Sequence, residues 1–174
     1  PISNPFQVGI LRKSDPDDFQ AQYCGGTLVK RNFIVTAAHC SDFVAPQDVQ
    51  VLTGARRLDG TGVRRDVIHI TIHPLWDPAS FNNDVAVWQL ASDVTDVEPA
   101  TLPGQDPVAG QILLATGWGN TSAGASAFPV DLMQVKLAAV SRSSCRNVFG
   151  GSFKPSMICA GSSGRDTCQG DSEI

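Results

Sequence analysis

Long apolar runs are missing from this 174-residue chain. None approaches the roughly 20 residues that a bilayer-crossing helix needs. Pro1 to Gly9 has neither the charged nor the apolar region of a secretory leader, so no targeting segment is expected within the chain and no membrane partner is implied. Basic charge is also scarce. Thirteen Lys and Arg against seventeen Asp and Glu give a formal charge of -4, too little for a phosphate-binding surface, so nucleic acid is not an expected partner. Heptads and internal repeats are absent, which removes coiled coils and solenoids. No Cys-x-x-Cys pair of the zinc-binding kind occurs. The cysteines Cys24, Cys40, Cys145, Cys159 and Cys168 are widely spaced and read as disulfides of an oxidising compartment, with one thiol left over by the odd count.

What is present points to a β protein. A hydrophobic content of 42% can bury one substantial core, or two small ones sharing an interface. Sixteen Gly and eleven Pro divide the chain into short segments joined by turns, which favours an all-β domain over a helical bundle. Short or alternating apolar runs predict strands over Phe6 to Leu11, Gly26 to Val29, Phe33 to Ala37, Val49 to Leu52, Val67 to Ile72, Val85 to Leu90, Ile112 to Ala115 and Val135 to Val140. Their spacing fits an antiparallel sandwich or barrel. Residues 94 to 110, with Pro99, Pro103 and Pro107, read as a connection between two halves, and Asn120 to Pro129 as a surface loop.

Three residues could carry chemistry together. His39 ends the buried run Phe33, Ile34, Val35, Thr36, Ala37, Ala38; alone, such an imidazole is an ordinary structural or surface residue. Asp84 stands in Asn82, Asn83, Asp84, Val85, Ala86, where an apolar run begins, and alone reads as a solvated turn carboxylate. Ser172 closes Cys168, Gln169, Gly170, Asp171, Ser172, which alone is merely a good turn. A serine hydroxyl becomes a competent nucleophile only when a neighbouring base removes its proton, and that base needs a carboxylate to fix its tautomer.

Their order and context carry more weight than any one of them. Ala-Ala-His-Cys, Asn-Asp-Val-Ala-Val, Gly-Trp-Gly at Gly117 to Gly119, Met-Ile-Cys-Ala-Gly at Met157 to Gly161 and Cys-Gln-Gly-Asp-Ser follow one another along the chain. This succession resembles the trypsin and chymotrypsin family of serine proteases, from about Pro5 to Ser172. The resemblance implies two antiparallel six-stranded β-barrels with the active site between them: residues 1–98 as the first barrel, 99–110 as the connection and 111–174 as a partial second barrel. It implies His39 as general base, Asp84 as orienting carboxylate, Ser172 as nucleophile, and the N–H groups of Gly170 and Ser172 as the oxyanion hole. Cys24 would pair with Cys40 and Cys145 with Cys159, leaving Cys168 unpaired. Asp166, beside Thr167, matches the acidic base of the primary pocket, so cleavage after Arg or Lys through an acyl-enzyme is expected. Protein or peptide substrates are implied, with protein protease inhibitors as further partners, in a secreted monomer without cofactor or metal.

The remaining charged and imidazole groups read plainly. His69 and His73 are expected to be structural, and Arg56, Arg57, Arg64 and Arg65 to line a solvated loop around Asp59 to Gly62 that would also offer self-cleavage sites. That loop lacks the acidic cluster that binds calcium in some trypsins.

Both ends depart from the family pattern. Ser172 is followed by Glu173 and Ile174 where members continue with Gly-Gly-Pro and further strands, and Pro1 enters after the family's usual start, leaving Asp171 without its ammonium partner. The expectation is therefore a truncated chain of weak or no activity by itself. The rival reading is a non-catalytic, protease-like binding protein, against which stands the retention of all three triad residue types.

Overall fold

The strands follow from alternation and closure. In a computed structural model that describes residues 4–120 and 128–161, six of them form one closed antiparallel barrel. They are β1 (Gln7–Arg12), β2 (Gln22–Lys30), β3 (Phe33–Thr36), β4 (Val49–Thr53), β5 (Val63–Ile72) and β6 (Ala86–Leu90), in the order β1-β2-β3-β6-β5-β4. Pairing of β1 with both β2 and β4 closes the ring and leaves no open edge. β6 shows the period of two clearly: Ala86, Trp88 and Leu90 are buried, whereas Val87 and Gln89 face outward. Register shifts at Ile10/Leu11, Leu28/Lys30 and Val67/His69 bend the strands as the ring closes. Gly26 is required where β2 passes β3, because a Cβ there would lie 3.0 Å from both Ile34 Cγ2 and the Val35 carbonyl oxygen.

Val8, Ile10, Leu28, Ile34, Val51, Trp88 and Leu90 fill the barrel. A second cluster joins Leu11, Leu52, Ala55 and Leu58 of the barrel region to Trp118 and Leu132 beyond it. The same junction carries backbone bonds from Leu58 N–H to the Val130 carbonyl and from Leu132 N–H to the Arg56 carbonyl. Here Arg57 Nη1 meets Asp131 Oδ1 at 2.6 Å.

Past residues 91–111, which hold neither helix nor strand, the antiparallel sheet β7-β8-β9 comprises Ile112–Gly117, Met133–Ala139 and Ala160–Gly161. The expected all-β architecture is thus observed as a closed six-stranded barrel followed by a second, partial sheet. Each of the eight apolar runs became a strand, with ends that coincide or move by at most four residues.

Several features were not foreseen; besides the short strand Ala160–Gly161 and the four-residue helix Asp18–Ala21, two matter here. Arg142–Phe149 is a helix, capped where Ser141 Oγ accepts from Ser144 N–H at 3.1 Å and stopped by Gly150 at φ 56°. Arg64 and Arg65 are also not part of a solvated loop. They extend β5, where Arg64 Nε pairs at 2.7 Å with the buried Asp18 and Arg65 donates to Thr53 Oγ1 and Asp96. Their alternation places each guanidinium beside an acceptor supplied from a distant part of the chain.

Candidate active site

His39 and Asp84 stand 45 residues apart in sequence and are brought together by one strand pairing. Thr36, the last residue of β3, lies opposite Ala86, the first of β6. His39 comes three residues after Thr36 and Asp84 two before Ala86, so the two meet at the same end of the barrel. The Asp84 carboxylate accepts twice: Oδ1 from the His39 backbone N–H at 2.8 Å, and Oδ2 faces Nδ1 of the ring at 2.7 Å. With the carboxylate ionised, Nδ1 is the nitrogen that donates to it, and Nε2 lies on the far side of the ring, 3.4 Å from the Cys40 sulfur. Exposure suits proton transfer, since the imidazole is 44% accessible while the carboxylate behind it is 19% accessible.

The surroundings restrict the ring. The Cys24–Cys40 disulfide anchors the histidine turn to β2, and Tyr23 Oη donates to the Cys40 carbonyl at 3.2 Å. Phe81 meets the imidazole edge-on, with centroids 6.0 Å apart, and Trp76 meets Phe81 in the same manner. Trp76 Nε1 in turn donates to Asp42 at 2.7 Å. His73 takes no part in the pair; its Nδ1 accepts from Leu75 N–H. Cys24, His39 and Cys40 cluster closely enough to suggest a metal set, but the two sulfurs are bonded to each other and cannot ligate as thiolates.

Tyr23 offers a direct check on this packing, because it is the chain's one tyrosine. Burial pushes its pKa up to about 12, while the Arg12 guanidinium, 4.8 Å from the ring centroid, pulls the other way. The folded pKa is raised, so the associated stability is complete below the ordinary value and is lost as pH rises through the folded one. Phenolate absorbance is expected to appear with a midpoint near 12 in the folded protein and, on unfolding, near the usual value of about 10.

Cys145 and Cys159 form the second disulfide, as the resemblance implied. Ser172, Gly170, Asp166, Thr167, Cys168 and Asp171 lie outside the described residues. Sequence reasoning missed Tyr23, Phe81 and Ser156 around the pair; no local pattern distinguishes them from ordinary strand and loop residues.

Along most of its length the chain is similar to known proteins. The family model described as Trypsin matches residues 1–172. Trypsin beta of Drosophila erecta is 32% identical over 98% of this chain and 67% of its own length. Trypsin alpha-4 of Lucilia cuprina is 35% identical over 98% of this chain and 66% of its own. The chain spans about two thirds of the length of the curated relatives it matches. Among solved structures, neuropsin, a serine protease expressed in the limbic system of mouse brain, superposes with a TM-score of 0.86. It is 29% identical, over 98% of this chain and 75% of that one.

Proposed function

The chain belongs to the trypsin family, and on that premise we propose that it is a serine endopeptidase acting on proteins or peptides. The observation that carries this reading is the His39–Asp84 pair, in which both carboxylate oxygens face His39 and Nδ1 is the ring nitrogen they engage. In the proposed reaction Nε2 removes the proton of Ser172 Oγ as the oxygen attacks the scissile carbonyl. The N–H groups of Gly170 and Ser172 receive the oxyanion. His39 then returns the proton to the leaving amine, forming an acyl-enzyme, and activates water in the same way to release the acid. Every proton moves between Ser172, His39, substrate and water, so the scheme needs no cofactor.

Asp166, with Thr167 beside it, is the proposed base of the primary pocket, its charge selecting Arg or Lys before the cut bond. Protein inhibitors that mimic an extended substrate would occupy the same cleft. The two disulfides suit a secreted protein, working as a monomer. Residues 1–98 and 111–174 are read as contributions to two barrels joined by 99–110, with Cys168 outside both intrachain bridges.

An arginine-bearing phosphonate ester tests the scheme. It is expected to leave one covalent adduct, on the peptide that contains Ser172, and none in Ser172→Ala. Absence of the adduct overturns the nucleophile and favours a protease-like binding protein. Equal labelling by a glutamate-bearing counterpart overturns the Arg and Lys preference alone.

A further inference from the structure

We propose that Ser156 is a positioning residue for Asp84, acting across the junction between the barrel and the second sheet through Asn82 and Asn83. The proposal rests on the reading of Asp84 as the carboxylate that orients His39. Ser156 Oγ uses both of its hydrogen-bonding capacities on consecutive residues of the loop that ends at Asp84. It donates to Asn82 Oδ1 at 2.7 Å and accepts from Asn83 N–H at 3.3 Å.

Asn83 is the residue that needs such support. It adopts φ 58°, a left-handed conformation uncommon outside glycine, which asparagine tolerates better than most residues and which hydrogen bonds from its neighbours help to fix. Its side-chain Nδ2 donates to the Leu75 carbonyl at 2.8 Å, and its own carbonyl accepts from Val85 N–H at 2.8 Å. Asp84 therefore sits inside a tight turn between Asn83 and Val85, and the orientation of the Asn83 peptide sets where its carboxylate points.

Ser156 is itself held in place. Arg142 Nη1 donates to the carbonyls on either side, Pro155 at 2.9 Å and Met157 at 3.1 Å. The Cys145–Cys159 disulfide ties the Arg142 helix to the same segment. The junction does not depend on Ser156 for its cohesion, because the Arg57–Asp131 pair, the Leu58 and Leu132 backbone bonds and the Trp118 cluster already join the two parts. Ser156 is exposed, so it adds little to the core. What it contributes is local: a fixed point from the second sheet beside the turn that aims Asp84.

The test follows two readouts in the full chain: the deshielded Nδ1–H proton of His39 by NMR, and the steady-state constants for an arginyl ester. Ser156→Ala is expected to broaden or abolish the proton signal and to lower kcat about fivefold, the equivalent of about 1 kcal/mol, with KM unchanged. Ser156→Thr should restore both. Ser156→Ala and Asn82→Ala combined should cost no more than either alone, as for members of one network. Arg57→Ala, a junction change away from the pair, should leave the proton signal in place. Normal signal and normal kcat in Ser156→Ala overturn the proposal, as do equal effects from Arg57→Ala or absence of the signal from the unsubstituted protein. If the signal responds as expected while no variant, nor the parent, turns over ester, the positioning role stands and the reading of this chain as an active protease by itself falls.

Discussion

Asp84→Asn is expected to lower kcat on an arginyl ester by about ten-thousandfold while the barrel stays folded, a magnitude carried over from other members of the family. The direction follows from the two bonds the carboxylate makes. Both His39 groups that face Asp84, the backbone N–H and the Nδ1 side of the ring, are met by acceptor oxygens. An amide has one acceptor oxygen, and the fixed backbone N–H claims it. The NH2 group then faces Nδ1, which must give up its proton, and the ring carries its hydrogen on Nε2. The nitrogen that should receive the serine proton is already occupied. A kcat within tenfold of the parent, with unchanged thermal unfolding, would remove Asp84 from its proposed role.

Trp88→Ala is expected to destabilise the fold by about 3–5 kcal/mol, a large share of the roughly 5–15 kcal/mol that holds a domain together. Trp88 is fully buried on β6, within the cluster formed by Val8, Ile10, Leu28 and Ile34. Its Nε1 donates to Ser41 Oγ at 2.9 Å, and Ser41 Oγ donates to the Ala37 carbonyl at 3.0 Å. The truncation therefore opens a cavity and also removes the donor that a buried hydroxyl two residues from His39 accepts from. Trp88→Phe keeps most of the volume and loses only the hydrogen bond, so it should cost about 1–2 kcal/mol. Denaturant midpoints order the three proteins, and equal midpoints for the Ala and Phe variants would contradict the cavity argument.

The strands that could be read from the chain were those whose neighbours share one property. β6 alternates Ala86, Trp88 and Leu90 with outward residues, and β3 is short and apolar; both were legible from hydrophobicity alone. β5 was legible only from Val67 onward, because Arg64, Arg65 and Asp66 look like loop residues until Asp18, Asp96 and Lys13 arrive from elsewhere to pair with them. The helix at Arg142–Phe149 carries few apolar residues, and its signals, the Ser141 cap and Gly150, also fit a turn. His39 and Asp84 were legible through their flanking motifs, whereas nothing near Ser156 announces that its hydroxyl reaches residues more than seventy positions earlier. Contacts of that separation are properties of the fold, not of any window of sequence.

The pairing of Thr36 with Ala86 links accuracy in the core to accuracy in the chemistry. A one-residue slip of β6 would turn Trp88 towards solvent and carry Asp84 roughly 3.3 Å along the strand direction. The same error would expose a tryptophan and break the contact with His39. Slippage therefore cannot yield a sound but chemically silent isomer, and any surveillance that removes molecules with exposed aromatic cores would also remove those with a misplaced Asp84.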